Sequence, residues 1–152
     1  MFFCILYFGV LVKLHDCTYF LANRLTRTLK RAFDLRLESH GLTAATWCAM
    51  MALAENGPLT QKQLSEILAL ENPTVTRTID RLVEKDFVVR QPVPHDRRSS
   101  IISLTEKGDG IRQQINEVGH CFMGWVTRDL TDDELQMFKG LLVRICDQAQ
   151  VG

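Results

Sequence analysis

The chain has 152 residues, the size of one ordinary domain, and 46% of them are apolar, 24% charged and 8% aromatic. This composition excludes a disordered chain, a collagen-like repeat and a disulfide scaffold. Eighteen Lys and Arg residues balance eighteen Asp and Glu residues, so the formal net charge is zero. Taken as a sum, that balance argues against a nucleic-acid binder, because a protein that neutralises phosphates needs basic surface.

The charges do not balance locally. Residues 1–54 carry six basic and three acidic groups, whereas residues 109–152 carry four basic and seven acidic groups. The middle third has eight of each sign, but six of its basic groups lie within residues 77–98. A neutral chain can therefore still present basic surface in its first third and in this short stretch.

The first twelve residues, MFFCILYFGVLV, are apolar and precede the first charge at Lys13. The run is shorter than the roughly twenty residues that a helix needs to span a bilayer. It also lacks the basic start and the small-residue cleavage site of a secretory signal. Three interpretations stay open: a hydrophobic arm buried in a dimer, a weak membrane anchor, or a start codon assigned too far upstream. We expect no membrane partner.

The cysteines are five in number and scattered, and none forms a CxxC pair: Cys4, Cys17, Cys48, Cys121 and Cys146. Structural zinc sites need closely spaced thiolates, so we expect no metal and a reduced, cytoplasmic protein. Cys48 lies in an apolar stretch and is predicted to be buried. His120 adjoins Cys121, which leaves a metal-sensing regulator open although the spacing gives no ligand set. No nucleophile elbow, Walker loop or HExxH motif appears, so we expect neither an enzyme nor a cofactor.

Two regions have the periodicity of amphipathic helices. Residues 15–39 contain no Pro or Gly, and apolar side chains recur there at helical spacing, which predicts one long helix ended by Gly41. After residue 109, Gly119 and Gly124 interrupt a predicted helix and indicate a close crossing or a bend. Near-heptad seams in this region suit helix-on-helix packing, within one chain or between two. Their members are Ile111, Ile115, Val118, Phe122 and Trp125, followed by Leu135, Phe138, Leu142 and Ile145.

Three helix starts share one chemical signature. Thr60-x-x-Gln63 and Thr131-x-x-Glu134 are capping boxes, in which the hydroxyl accepts from the third amide and the third side chain reaches back. Thr43 has the flanking hydrophobic residues of such a start but not the Gln or Glu. Helices are therefore predicted to begin near residues 43, 60 and 131.

A further helix is predicted over residues 72–86. Asn72 is expected to cap it and Pro73 to occupy the first helical position, where the missing N–H costs nothing. The buried stripe is predicted to consist of Val75, Ile79, Leu82 and Val83. The side chains predicted to lie together on a different face are Thr74, Arg77 and Arg81, with Thr76 nearby.

After residue 86 the pattern changes from helix to strand. Residues 87–90 and 100–104 have the composition of β-strands and are separated by Pro92, Pro94 and the polar run HDRRSS. This predicts a hairpin with a long, basic tip. The fold class is therefore mainly α with a small β-hairpin wing, that is, a winged helix-turn-helix accompanied by further helices before and after it.

This order of elements indicates how DNA would be bound. The helix over residues 72–86 would enter the major groove with its N-terminal residues toward the base edges. Thr74 and Thr76 can contact phosphate or bases, and Arg77 can make a bidentate contact with guanine. The alternatives are that these residues only solvate a surface helix, or that the protein is a dimerisation module without DNA binding.

The hairpin tip favours the DNA interpretation. Arg97 and Arg98 are adjacent at a predicted loop apex, where a planar cation can reach the narrow minor groove. Asp96 can hold one of these arginines through a bidentate pair.

The stretch from Leu42 to Gly108 carries a family resemblance. It reads LTAATW…LTQKQLSEIL…ENPTVTRTIDRLVEKDFV…PHDRRSSIISLTEKG and resembles the MarR family of winged-helix transcriptional regulators, closest to its SlyA branch. The shared motifs are LTxxxW, ExPxxxR and DxRx5LT, the last formed by Asp96, Arg98, Leu104 and Thr105. The resemblance extends from about Leu14 and weakens after Gly110.

The resemblance implies a homodimer that regulates transcription from a pseudo-palindromic operator. It implies a helical dimerisation region made of a dimerisation helix at 13–41 and C-terminal dimerisation helices at 109–152, with the DNA-binding winged helix-turn-helix at 42–108 between them. The extra apolar arm at 1–12 lies outside the resemblance. The family's recognition-helix arginine corresponds to Arg77 and its wing arginine to Arg98. The candidate DNA-binding residues are Pro73, Thr74, Thr76, Arg77, Arg81, Asp96, Arg97 and Arg98.

Two modes of regulation follow from the resemblance. Many relatives are released from DNA by small aromatic acids, and the matched pocket positions here are Arg27, Lys30 and Trp47; two cations beside an indole suit an aromatic carboxylate. Ala45 and Met51 depart from the pattern, and the alternative is that Trp47 is core and the two cations are dimer-surface charges. The second mode is redox sensing by Cys17, although no cation adjoins it in sequence.

Overall fold

The computed structural model describes residues 13–93 and 96–150, without the side chains at 93, 96–99 and 150, so the predicted arm at 1–12 lies outside the described residues. Within them the chain is mainly helical with a small antiparallel sheet, which confirms the predicted fold class. The elements are α1 (Thr18–Leu37), α2 (Ala44–Asn56), β1 (Leu59–Thr60), α3 (Gln61–Leu68), α4 (Asn72–Glu84), β2 (Val88–Val93), β3 (Asp96–Leu104), α5 (Glu106–Val126) and α6 (Asp132–Gln150). Along the sequence, the chain divides into two compact units after Ala44.

The first unit is built on α1, which occupies most of the predicted 15–39 helix. Short 3₁₀ turns, Leu14–Asp16 and Glu38–His40, flank it. Gly41 ends the helical stretch with φ 64°, a left-handed conformation that glycine adopts without strain, as predicted. The Leu42 amide then donates to the carbonyl of Leu37 at 3.2 Å.

Both predicted capping boxes are confirmed. The Gln63 amide donates to Thr60 Oγ1 at 3.3 Å, and the Thr60 amide donates back to Gln63 Oε1 at 2.8 Å. The amides of Glu134 and Thr131 make the same two bonds, at 3.3 and 2.8 Å. Because a box needs only residues three apart in sequence, it can be recognised without knowledge of the tertiary fold.

The start of α4 is one residue earlier than predicted. The amides of Thr74 and Val75 both donate to the carbonyl of Glu71, so Glu71 is the cap and Asn72 is already helical. Pro73 therefore occupies the second position, where its missing N–H is still not needed. The prediction for Val83 was also wrong, since its side chain is 40% exposed.

The sheet has the order β1-β3-β2, and β1 was not predicted. Leu59 pairs with Ile102, and both side chains are buried. The hairpin strands are longer than predicted, because pairing continues from Val88↔Leu104 to Val93↔Asp96. The predicted long tip was therefore wrong. Pro92 is accommodated because β2 is an edge strand, and the register shifts after it.

The core of the second unit lies among α2, α3, α4, the sheet and α5. Its fully buried side chains include Met50, Leu64, Val75, Ile79, Leu82, Ile102 and Ile115. Cys48 is half-buried, although the sequence predicted burial. In contrast, α6 has no buried residue between 132 and 149.

Candidate nucleic-acid interface

The outer face of α4 carries three of the predicted DNA-binding residues. Thr74, Arg77 and Arg81 are all exposed, at spacings of three and four that place them on one side of a helix. The opposite side is buried through Val75, Thr78, Ile79 and Leu82. Pro73 is exposed in the first turn. The structure thus brings four predicted contacts to one end and one face of α4.

Thr76 lies at the edge of that face and is half-buried. Its hydroxyl donates to the carbonyl of Asn72 at 2.9 Å and accepts from Gln61 Nε2 at 2.7 Å. The side chain therefore joins α3 to α4, a contact that sequence analysis did not predict. Its proposed contact with DNA would have to use the remaining lone pair of the hydroxyl.

The backbone of the wing arginines lies at the start of β3. Asp96, Arg97 and Arg98 are strand residues, and Asp96 pairs with Val93. The prediction of a loop apex was therefore wrong for the backbone, because ladder pairing reaches almost to the turn. Their side chains, and the proposed pairing of Asp96 with an arginine, lie outside the described residues.

Two residues of the DxRx5LT…G stretch have a structural role that the sequence did not reveal. Thr105 Oγ1 donates to the carbonyl of Asp86 at 2.7 Å and accepts from the Gly108 amide at 3.0 Å. A Cβ on Gly108 would overlap the carbonyl oxygen of Phe87. Thr105 and Gly108 thus fix the start of α5 against the segment that follows α4.

Arg90 belongs to the basic stretch in the sequence, but in the structure it is half-buried and paired with an acidic residue. It follows the buried Val88 by two residues on β2 and pairs with the buried Ile102, so it occupies an inward position. Arg90 Nη1 donates to Asp80 Oδ1 at 2.6 Å, across to α4. The sequence of β2, VVRQPV, has no alternation of apolar and polar residues, so it gave no signal for the inward position of Arg90 or for its partner.

Two of the predicted effector residues lie in the first unit. Arg27 and Lys30 line a cavity of about 580 Å³, together with Arg31, Asp34, Leu35, Glu38, Gly41, Leu42 and Thr43. Lys30 Nζ donates to Asp34 Oδ2 at 2.5 Å, and Asp34 Oδ1 accepts from the Ala44 amide at 2.7 Å. Burial alone would raise the pKa of Asp34, but these hydrogen bonds and the lysine charge bring the pKa below its ordinary value.

The third predicted effector residue, Trp47, lies in the second unit and is half-buried. Its Cζ2 is 2.9 Å from the position that a Cβ on Gly119 would occupy. This confirms the predicted close approach at Gly119, whereas Gly124 has open space around it.

The cysteines differ in their surroundings. Cys17 is the residue before α1 and lines a cavity of about 390 Å³ with Tyr19, Arg24 and five other residues. Burial raises the pKa of the Cys48 thiol, which disfavours the reactive thiolate.

Among the residues that the structure describes, no group of three or more His, Cys, Asp or Glu side chains could hold a metal ion. No helix within 13–93 and 96–150 is long and apolar enough to cross a membrane.

Sequence comparison relates this chain to known regulators. Residues 40–99 match the model of the MarR family. A curated relative from Bacillus subtilis, the uncharacterized HTH-type transcriptional regulator YwoH, is 32% identical over 119 residues. The match covers 78% of this chain and 86% of the relative.

Structure comparison agrees with the sequence comparison. A mutant MarR from E. coli, crystallised in complex with operator DNA, is 28% identical with a TM-score of 0.75, over 82% of this chain and 90% of that one. The PcaV transcriptional regulator from Streptomyces coelicolor, crystallised with its natural ligand, has a TM-score of 0.78. It is 23% identical over 92% of this chain and 99% of its own, a likeness that concerns the fold alone.

Proposed function

Because this chain belongs to the MarR family of DNA-binding transcriptional regulators, we propose that it acts as a homodimer on a pseudo-palindromic operator. Each protomer would place α4 in the major groove of one half-site and the β2–β3 wing against the adjacent minor groove. The observation that carries this proposal is the exposed face formed by Thr74, Arg77 and Arg81, opposite a fully buried one. The LTxxxW and ExPxxxR motifs support placing the chain in the SlyA branch. We also propose a cytoplasmic location, because the operator DNA is there.

The homodimer is supported by the apolar surface of α6. Exposed large side chains on this helix include Met137, Phe138, Leu141, Leu142, Val143 and Ile145. Isolated apolar side chains are normal on a surface, but a contiguous set on one helix marks an interaction site. Phe138, Leu142 and Ile145 of the predicted seam belong to this set, while Leu135 is half-buried, and this exposed stripe favours pairing with a second copy of the chain.

The DNA contacts proposed for α4 are distinct in kind. Arg77 would make a bidentate contact with a guanine, while Thr74 and Arg81 would contact phosphate or a base. Pro73 and Thr76 would shape the first turn beside them. In the wing, Arg98 would enter the minor groove with Asp96 as its partner, and Arg97 would lie beside it.

Selection of duplexes from a random pool tests this proposal. We expect the parent protein to enrich a two-fold symmetric sequence. Arg77→Ala should then weaken operator binding by about 1–3 kcal/mol and relax the preference at one base position in each half-site. Arg98→Ala should weaken binding with less change in major-groove preference. Arg112→Ala is the control, since Arg112 lies on α5 and pairs with Asp109 at 2.7 Å. Unchanged operator affinity in both test variants would contradict the site.

We further propose that a small aromatic carboxylate modulates DNA binding through Arg27, Lys30 and Trp47. The cavity beside Arg27 and Lys30 supports this, because it places cations next to apolar lining. Lys30 is already paired with Asp34, so Arg27 is the cation more available to an incoming carboxylate. A panel of benzoic acids should release the parent from its operator, and Arg27→Ala should abolish release without loss of operator affinity. Arg36→Ala, at the end of α1 and outside the cavity, is the control.

A redox-sensing regulator of the same fold is the second candidate. The observation that favours it is the shared lining of one cavity by Cys17, Tyr19 and Arg24. Peroxide should then release the parent protein from DNA, while Cys17→Ser should stay bound. Full peroxide-dependent release of Cys17→Ser would exclude this mechanism.

A further inference from the structure

An arginine on the wing holds the DNA-reading helix at two points. We propose that Arg90 is a positioning residue for operator recognition, which acts through Asp80 and Thr76 to fix β2 against α4. This inference rests on the proposed function of α4 and the wing. In this role Arg90 determines whether Arg77 and the wing can reach their two grooves at the same time.

The location of Arg90 is the first argument. Its neighbours on the inward side of β2 are buried: Val88 precedes it by two residues, and Ile102 pairs with it across the ladder. A charged side chain at such a position is costly unless a partner of opposite charge meets it. Asp80 on α4 is that partner, at 2.6 Å.

The geometry of the contact is the second argument. Arg90 Nη1 donates to Asp80 Oδ1, while Nη2 donates to the carbonyl of Thr76 at 3.4 Å. Thr76 and Asp80 are one helical turn apart, so the planar guanidinium spans a turn of α4. Two contacts from a rigid fork fix an orientation as well as a distance, which one ammonium group cannot do.

The contact from α3 completes the arrangement. Gln61 Nε2 donates to Thr76 Oγ1 at 2.7 Å, so the same turn of α4 is held from both sides. This turn borders the exposed face that carries Arg77. A change in the tilt of α4 relative to β2 would therefore displace Arg77 from its base before it weakened any contact in the core.

The exposure and charge pairing of the Arg90 guanidinium also support this role. The Arg90 side chain is 32% exposed, and its buried Nε has no hydrogen-bond partner. Its charge is matched by Asp80, so it is poorly suited to neutralise a phosphate. Arg90 thus differs from the exposed arginines of α4, and this difference is measurable in the salt dependence of binding.

The experiment compares Arg90→Ala, Arg90→Lys, Asp80→Ala and the Arg90→Ala/Asp80→Ala double variant on the selected operator and on a random duplex. Each single variant should lower the ratio of operator to random affinity by roughly 5- to 30-fold. The double variant should lose no more than one single variant, because both remove the same contact. The slope of log affinity against log salt should stay that of the parent. Arg112→Ala, which breaks another Arg–Asp pair on α5, should change none of these.

Three outcomes would overturn the proposal. A salt slope reduced by about one in Arg90→Ala, with Arg90→Lys like the parent, would make Arg90 a phosphate contact. Additive losses in the double variant would show that Arg90 and Asp80 do not act through one shared contact. An operator preference unchanged in all the variants would remove the role altogether. If Arg90→Ala unfolds, Arg90→Lys carries the test, since it keeps the charge but lacks the fork.

The proposed function and the role of Arg90 are overturned by different results. A parent protein that selects no operator overturns both the proposed function and the role of Arg90. A parent that selects an operator, with Arg90 and Asp80 variants that select it equally well, overturns only the role of Arg90. Thermal unfolding of each variant shows whether a changed preference accompanies a folded protein.

Discussion

The winged region and α6 use apolar side chains in opposite ways. In the stretch from α2 to β3, buried side chains such as Leu64, Ile79 and Ile102 pack within one chain. In α6 apolar side chains also recur along the helix, yet residues 132–149 include none that is buried. The apolar side chains of the first region form a core within one chain. Those of α6 are exposed, like the apolar surface of a protein–protein interface.

This difference fits two tasks of the proposed dimeric regulator. The winged region would present charged and polar groups to DNA, and its apolar residues are covered from within. The helix α6 exposes apolar groups, which a second copy of the chain would cover in the proposed homodimer. The helix α5 connects them: Ile115 and Phe122 are buried, while Trp125 near its end is 51% exposed.

The largest expected effect is on α6. Leu142→Asp should convert the dimer to monomers, because it places an uncompensated charge in the apolar seam. Operator affinity should fall by about 10²- to 10⁴-fold, since the two half-sites are no longer linked. Sedimentation and operator titration measure both effects. Gln136→Asp, on another side of α6, introduces the same charge as a control and should leave the dimer intact. A dimeric Leu142→Asp would break the contrast between the two regions.

An intermediate effect is expected within α5, where two glycines have opposite surroundings. Gly119→Ala should destabilise the protein by about 1–3 kcal/mol, because the new Cβ would lie 2.9 Å from Trp47 Cζ2. Gly124→Ala meets nothing within 4 Å and should stabilise the helix by about 0.5–1 kcal/mol. Urea unfolding of the two variants gives the difference. Equal effects of the same sign would mean that the two parts of α5 are not packed differently.

The smallest expected effect distinguishes the two capping boxes by pH. Hydrogen bonds from the Thr131 amide and hydroxyl lower the pKa of Glu134 below its ordinary value. A lowered pKa in the folded state means that this stabilisation is complete above the ordinary glutamate pKa and is lost as the pH falls through the lowered one. Gln63 has no titrating group, so the box of α3 should not respond.

Amide hydrogen exchange measures this effect. Protection of the Thr131 amide, which donates to the Glu134 carboxylate, should decrease in acid relative to neutral pH. Protection of the Thr60 amide, which donates to Gln63, should stay constant after correction for intrinsic rates. A parallel decrease at both amides would indicate general unfolding instead of the loss of one carboxylate. Thr60→Ala should lower the free energy of unfolding by about 1 kcal/mol at every pH. This value gives the contribution of a capping box that has no titrating group.

Local chemistry explains which features were predictable. The capping boxes, the αL glycine at Gly41 and the outward face of α4 depend on residues within a few positions of each other, and all were predicted. The strand β1 was missed because it has two residues and becomes a strand only by pairing with Ile101 and Ile102. The predicted hairpin tip was too long because Pro92 suggested a loop, whereas an edge strand such as β2 tolerates a proline.

The sequence by itself determined the order of the elements other than β1, the family and the candidate residues for DNA binding. Its neutral net charge hid an uneven distribution that only position along the chain revealed. The tertiary structure decided which of those charges are available: Arg77 and Arg81 are exposed, while Arg90 is held by Asp80. It also decided which apolar residues form a core and which form the surface of α6. Both decisions depend on contacts between residues distant in sequence, which local periodicity does not specify.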